Sequence, residues 1–291
     1  MHFIMMVGLP ASGKSTYAKT WYSDFEIISS DAIRKELFGD ESVQKDNGKV
    51  FGEVFKRVKN NLLKGRDVIV DATFINRKSR KGLLEMVSNI DGVTKEAIVM
   101  TTPYHVCVKR DKERDRTVGE DVIKKFLMRF QIPMYSEGFD NILIVGHNEE
   151  YDRIKNFYTH EINNPHHKDN SLTSHCLNAR FYVDEHYKLG SLNLLEACEN
   201  HDLGFIMTET VDDKGVSHYY GHECVGAYLW LSGNIHDNWW SEYDLHRITA
   251  LINYHMLPYS WNEEKIRETF KDDFLFADEL LVLNEADRSA M

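Results

Sequence analysis

Gly8-Leu9-Pro10-Ala11-Ser12-Gly13-Lys14-Ser15 fits the pattern G-x-x-x-x-G-K-[ST]. Before it runs Phe3–Val7, an apolar stretch that reads as a short buried strand; after it a helix is expected from Lys14. In that setting the glycines let backbone N–H groups turn inward around phosphate oxygens at a helix N-terminus. Lys14 then reaches the β and γ phosphates and Ser15 ligates Mg²⁺. The expected nucleotide-contacting set is Gly8, Ala11, Ser12, Gly13, Lys14, Ser15 and Thr16, with ATP and Mg²⁺ as cofactors. The alternative, a Gly-rich turn of no special use, does not explain why both flanks are right.

Outward from this loop, strand-like and helix-period segments alternate. Phe25–Ile28 is a second strand candidate, and Ser29-Ser30-Asp31 caps a helix carrying Ile33 and Leu37. Val50, Val54, Phe55, Val58 and Leu62 share one face of a helix closed by Gly65. Asp67–Val70 leads into Asp71-Ala72-Thr73, and Ala97–Met100 and Ile142–Val145 complete the strand set. Strands alternating with helices imply a parallel sheet covered on both faces. Beyond Val145 the pattern changes. Residues 163–171 are polar and without periodicity, and Leu172–Glu185, Leu192–Glu199, Gly221–Leu231, Leu245–Tyr254 and Phe274–Ala290 all read as helices. Two domains are expected: an α/β domain over 1–160 and an all-α domain over 171–291, joined by a linker at 161–170.

Composition agrees. The 291 residues are 42% hydrophobic and 28% charged, which excludes wholesale disorder. Four cysteines without a CxxC pair suggest neither a disulfide framework nor a zinc ribbon. No apolar run approaches the roughly 20 residues that span a bilayer. The opening HFIMMVG is too short for a signal peptide, so a cytoplasmic protein with no membrane partner is expected. The net charge of −11 is unevenly spread. Residues 1–160 hold 26 Lys+Arg against 23 Asp+Glu, and the rest hold 9 against 23 together with 10 of the 14 histidines. One half can bind phosphate and the other metal.

Three features bear on the phosphoryl acceptor. Asp31 and Arg34 stand one helical turn apart, so a carboxylate that accepts a hydroxyl proton and an arginine that grips a phosphate can face one site. The plain alternative is an N-cap aspartate beside a surface arginine. Asp71 ends a buried strand near Mg²⁺ or near Arg34, unless it is another helix cap. The charged run Lys109–Arg116 is a lid with an arginine for the transferring group, or a solvated helix face.

In order and spacing, GLPASGKS, ISSDAIRKELFG, GRDVIVDATF and the lid before VIKKFLMRFQIP resemble the kinase domain of 5′-hydroxyl polynucleotide kinases. The resemblance covers roughly residues 1–150. It implies that Lys14 and Ser15 bind ATP·Mg, that Asp31 is the general base for a 5′-OH, and that Arg34 holds the adjoining nucleic-acid phosphate. Arg116 matches the family's lid arginine best, with Arg110 and Arg114 as alternatives.

In the second half, His175, the pair His201-Asp202, His222, His255 and Asp287 each lie on or at the end of an expected helix. Imidazoles and carboxylates converging from several helices suit transition divalent metals, which activate water and orient a phosphate ester. A lone buried histidine is otherwise an ordinary hydrogen-bonded core residue. SHCLNA, ENHDLG, YGHECVGA, LINYHMLP and LNEADRSA resemble the successive signatures of the HD phosphohydrolase superfamily. That resemblance implies an HD-type helical domain with His175, His201, Asp202 and Asp287 around one metal. His222 and His255 match the extra ligands of two-metal members, with Mn²⁺, Ni²⁺, Co²⁺ or Cu²⁺ as candidate ions. Many members carry a lysine shortly after the HD pair, where Gly204-Phe205 stand here; Arg180 and Arg288 are the candidate replacements. His166, His167, His186, His236 and His246 match no motif and read as linker or surface residues.

Together the resemblances imply a bifunctional enzyme of nucleic-acid end healing, resembling fused kinase–HD repair proteins. It would phosphorylate 5′-OH ends and hydrolyse 2′,3′-cyclic phosphate or 3′-phosphate ends. The expected partners are nucleic-acid ends, RNA ahead of DNA, ATP, and a ligase on a separate chain. One alternative joins a small-metabolite or nucleoside kinase to a nucleotide phosphohydrolase. Another is a nucleotide-gated regulatory protein, which the intact Lys14, Asp31 and Arg34 and the metal-ligand set argue against.

Overall fold

The computed structural model describes every residue except 42, 44, 45, 148–159, 163–170 and 188–190. Most of the expected linker, with His166 and His167, lies outside the described residues. The chain divides into two compact units, one of residues 1–123 and 133–147 and one of residues 124–132 and 148–291.

The first unit is α/β. Strand β1 (His2–Val7) leads through the Gly-rich loop into helix α1 (Lys14–Trp21). Strand β2 (Glu26–Ser29), helices α2 (Ser30–Phe38) and α3 (Asn47–Leu62), strand β3 (Val68–Asp71), helix α4 (Arg77–Ser88) and strand β4 (Thr94–Met100) follow. Helices α5 (Tyr104–Lys112) and α6 (Glu120–Leu127) precede strand β5 (Asn141–Val145). The sheet is wholly parallel, in the order β2-β3-β1-β4-β5. With β1 central and covered on both faces, Phe3 to Val7 are all buried, which is why the strand reads as a continuous apolar run. Ile4 and Met6 on one of its faces pack with Ala18 of α1, Ile69, Ile98 and Met100.

Two corrections concern the charged run. Lys109–Lys112 finish α5, so the charged run is helix up to residue 112 and the connection to α6 is residues 113–119. Within that run Asp111 is buried rather than solvated. Its carboxylate accepts the backbone N–H of Val118 at 3.0 Å and of Gly119 at 2.9 Å, tying the connection to α5.

The second unit is a helical bundle. It contains α7 (Leu172–His186), α8 (Leu192–Asn200), the single-turn α9 (Phe205–Thr208), α10 (His222–Asn234), α11 (Glu242–Tyr254), α12 (Glu263–Thr269) and α13 (Phe274–Ala290). A hairpin of β6 (Thr210–Val211) and β7 (Ser217–His218) is an addition to the expected helices, as are α9 and α12. Helix α8 is central, packing on α7, α11 and α13. Helix α10 is buried almost all round from His222 to Ser232, as befits a core helix. Residues 124–132 complete this core. Ile132 N–H donates to Asn253 Oδ1 at 2.8 Å, Asn253 Nδ2 donates to Phe130 O at 2.9 Å, and Phe130 stacks edge-on against Tyr228.

Candidate functional site

In the α/β unit the Gly-rich loop takes the strained shape that its sequence permits. Gly8, Ala11 and Gly13 have φ of 152°, 61° and 92°. A Cβ at Gly8 would stand 2.9 Å from Ser12 Oγ and 3.2 Å from the Met100 carbonyl, so only glycine fits. Thr102, unremarked in the sequence, donates its hydroxyl to Ser12 O at 2.8 Å and so fixes the loop from the end of β4.

Lys14 is buried and donates to Gly8 O at 3.1 Å and Leu9 O at 2.6 Å. Burial lowers its pKa to about 8, against the opposing pull of the Asp71 carboxylate. Ser15 Oγ donates to Asp71 Oδ2 at 2.6 Å, so the hydroxyl and the carboxylate at the end of β3 come together. A hydroxyl beside a carboxylate is a pair that can hold Mg²⁺. Thr16 is exposed at the first turn of α1.

Asp31 and Arg34 meet. Ser29 caps α2 by accepting the Ala32 N–H, leaving the Asp31 carboxylate to pair with Arg34 Nη1 at 2.5 Å. Arg34 is buried, its Nη2 donates to Asn47 Oδ1 at 3.2 Å, and its Nε has no acceptor among the described residues. The other Asp31 oxygen faces Arg116 Nη1 at 3.7 Å, and that arginine also reaches Glu41 at 3.3 Å. The three candidate arginines therefore differ. Arg116 lies beside Asp31, Arg114 pairs with Asp111 at 3.7 Å, and the Arg110 guanidinium lies 3.7 Å from where a Cβ on Gly13 would be.

In the helical unit all six expected metal ligands are buried and converge. His201 and Asp202 follow the end of α8 at the bundle centre; His175 comes from α7, His222 opens α10, His255 follows α11, and Asp287 belongs to α13. His175 Nε2 lies 3.2 Å from His201 Nε2, 3.1 Å from Asp287 Oδ1 and 3.5 Å from Asp202 Oδ2. His222 Nε2 lies 3.1 Å from His255 Nε2 and 3.2 Å from Asp202 Oδ1. Each oxygen of Asp202 thus serves one histidine pair, giving two triads that share one carboxylate.

The far side of each ring decides the chemistry. His201, His222 and His255 point Nδ1 at the carbonyl three residues upstream, at 2.8, 2.7 and 2.7 Å, and His175 Nδ1 faces Ala290 O at 3.4 Å. A carbonyl only accepts, so Nδ1 carries the proton and a neutral ring presents a bare lone pair at Nε2. Two bare lone pairs 3.1–3.2 Å apart repel unless a cation lies between them. Two nitrogens each about 2.1 Å from one ion, at roughly 90–109°, stand about 3.0–3.4 Å apart. Asp287 Oδ1 is likewise buried without a hydrogen-bond donor, while its Oδ2 accepts from Tyr259 at 2.9 Å. Burial opposes charge on His201 and His222, yet Asp202 holds both above the ordinary imidazole range. Burial would raise the pKa of Asp202 and Asp287, but the histidines keep both below the usual carboxylate range. The site demands positive charge, and nitrogen with carboxylate ligands suits a transition divalent ion.

Of the remaining histidines, His186 and His236 are exposed and His246 is half-buried on α11, a partial correction to its surface reading. Tyr259, Asn47 and Glu41 escaped the sequence reading because each meets its partner only through the fold. No local spacing marks them.

A family model described as an AAA domain matches residues 3–133. The chain is similar to Transcription factor bHLH140 of Arabidopsis thaliana, 23% identical over 166 residues covering 53% of this chain and 17% of that protein. It is also similar to L-seryl-tRNA(Sec) kinase of Methanococcus maripaludis, 28% identical over 142 residues covering 45% of this chain and 52% of that one. The chain thus spans about half, or less, of the length of these curated relatives. Solved structures that resemble it include the Pnkp1/Rnl/Hen1 RNA repair complex, at 21% identity and TM-score 0.40, covering 44% of this chain and 43% of that one. A gluconokinase from Sinorhizobium meliloti 1021 matches at 19% identity and TM-score 0.37, covering 51% of this chain and 84% of that one. Fold and geometry together define a P-loop kinase-like domain fused to an all-α domain with two histidine/aspartate triads for metal. No helix among the described residues is long and apolar enough to cross a membrane.

Proposed function

We propose that the chain heals nucleic-acid ends, phosphorylating 5′-OH termini with ATP and hydrolysing 2′,3′-cyclic phosphate or 3′-phosphate termini. The observation that carries this reading is Asp31 between Arg34 and Arg116. A carboxylate that takes a hydroxyl proton, bracketed by guanidinium groups, suits a hydroxyl on a chain that already bears phosphate. A neutral metabolite has no use for the bracket. In keeping with an RNA-borne acceptor, one relative is named as a kinase of seryl-tRNA(Sec).

Lys14 and the loop amides hold the ATP phosphates, Ser15 and Asp71 hold Mg²⁺, Asp31 accepts the 5′-OH proton, and Arg34 positions the neighbouring phosphate. Arg116, on the 113–119 connection, meets the transferring group. The helical unit, which we assign to the HD type, uses His175, His201, Asp202, Asp287, His222 and His255 to hold its ions. Those ions supply Lewis acidity and an activated water for phosphoester hydrolysis. Imidazole and carboxylate ligands suit Mn²⁺, Ni²⁺, Co²⁺ or Cu²⁺ as those ions. RNA is the preferred polymer, a ligase on another chain would use the healed ends, and the cytoplasm is the compartment.

The test uses one RNA oligonucleotide with a 5′-OH and a 2′,3′-cyclic phosphate, incubated with ATP, Mg²⁺ and each transition ion, both ends being read by mass spectrometry. A gained 5′-phosphate and a lost cyclic phosphate are expected. Lys14→Ala removes only the first change and Asp202→Ala only the second. Two unchanged ends from wild-type protein that binds ATP, with mononucleosides phosphorylated instead, would overturn the reading.

A further inference from the structure

Residues 161–291 carry 23 acidic against 9 basic side chains, a poor environment for a phosphate. The fate of the four arginines of the described helices is therefore informative. Arg180 pairs with Glu199 and lies 3.8 Å from Asp184. Arg247 pairs with Asp273 at 2.6 Å and Glu279 at 2.7 Å. Arg267 pairs with Glu263 at 2.7 Å and Asp278 at 2.5 Å. Each of the three has its charge matched by two carboxylates. Arg288 makes no ion pair among the described residues; its guanidinium lies over the Tyr259 ring, 4.7 Å from the centroid.

That seat is tied to the metal-ligand cluster. The same Tyr259 donates its hydroxyl to Asp287 Oδ2, and Asp287 immediately precedes Arg288. Tyr259 is thus a two-sided support. Its hydroxyl turns Asp287 so that Oδ1 faces His175, and its ring holds the exposed guanidinium of the next residue along α13, which no carboxylate among the described residues neutralises. Packing a cation on an aromatic face fixes its position while leaving its N–H donors available. Neither of the two positions where a lysine would be looked for serves: Phe205 is buried and stacked on Tyr219, with ring centroids 3.9 Å apart. At Gly204 a Cβ would lie 2.0 Å from the His222 carbonyl oxygen, so no side chain fits.

We infer that Arg288, seated on Tyr259, is the phosphate-binding cation of the buried centre, and that Tyr259 is the residue that positions both it and Asp287. The inference rests on the reading of this centre as a phosphoesterase. Arg288 grips non-bridging oxygens of a phosphate whose remaining charge is met by the ions, and Arg180 takes no part.

The test titrates inorganic phosphate into metal-loaded full-length protein by calorimetry, with metal content measured on the same samples. Arg288→Ala is expected to bind the same amount of metal and to weaken phosphate at least about tenfold, with Arg288→Lys recovering part of the loss. Arg180→Ala is expected to leave phosphate affinity unchanged. Tyr259→Phe keeps the ring and loses the Asp287 hydrogen bond. It is expected to release metal to a chelator about 10–100-fold more readily while retaining phosphate affinity once saturated. Tyr259→Leu loses both. Unchanged phosphate affinity in metal-replete Arg288→Ala and Arg288→Gln, with wild type binding phosphate and hydrolysing ester, would overturn the Arg288 assignment alone. A wild-type protein that takes up metal but neither binds phosphate nor hydrolyses ester would overturn the phosphoesterase reading and this assignment with it.

Discussion

Burying a lysine costs free energy for as long as it stays charged, and Lys14 bears that cost so that a polyphosphate can relieve it. Its pKa is about 8 in the fold against an ordinary 10.5. Between those values the unfolded chain binds more protons than the folded one, so nucleotide-free stability rises with pH across that window. Lys14→Met should remove this rise from a series of thermal melts. A bound polyphosphate pulls the pKa back up. At pH 8.5 ATP binding should therefore take up as much as roughly one proton, seen as a dependence of the calorimetric heat on the buffer's ionisation enthalpy. Lys14→Met should show no such dependence, and its absence from wild type would mean that Lys14 does not meet the phosphates. The residue types of both centres were legible in the sequence because their chemistry is local: the loop pattern, the adjacent His201-Asp202, the one-turn spacing of Asp31 and Arg34. Tyr259 was not, since 28 residues separate it from Asp287 and only the fold joins them.

Among elements, legibility followed apolar continuity. β1 and α3 announce themselves by a buried run and by the stripe of Val50, Val54, Val58 and Leu62. Helix α12 does not, because only Ile266 of its seven residues is buried and one residue defines no period. The β6–β7 hairpin has two residues per strand, too few to alternate. The close crossing of α9 with α10 is written in glycines whose purpose emerges only in space. Besides its clash with His222, a Cβ on Gly204 would stand 2.8 Å from Gly226 N. Gly204→Ala should force α10 outward and carry His222 with it, at a cost of about 1–3 kcal/mol or more. Thermal denaturation and metal analysis should show a lowered melting temperature together with substoichiometric metal. A normal metal content would show that α10 gives way without moving the ligand.

At the scale of the whole molecule, the alternating and then purely helical pattern made the two architectures readable, and the charge asymmetry separated their chemistry. The buried cluster of two carboxylates and four imidazoles makes the helical unit dependent on its ions. Binding to the native state alone stabilises by RT ln(1 + [L]/Kd), about 2.7 kcal/mol at a hundredfold excess over Kd. Chelation should therefore lower the melting temperature of the wild type and leave that of Asp202→Ala unmoved, measured by scanning calorimetry. Sequence order gave no hint that Phe130 and Ile132 enter the helical core, for nothing in an apolar side chain names the neighbour it will meet. Their partner Asn253 lies 121 residues beyond Ile132. At roughly 5–20 residues per second, a ribosome takes about 6–24 s to cover that distance. For that interval the nascent chain carries a greasy segment whose destination has not been translated, and a chaperone that shields residues 124–132 during synthesis would act while that destination is still being made.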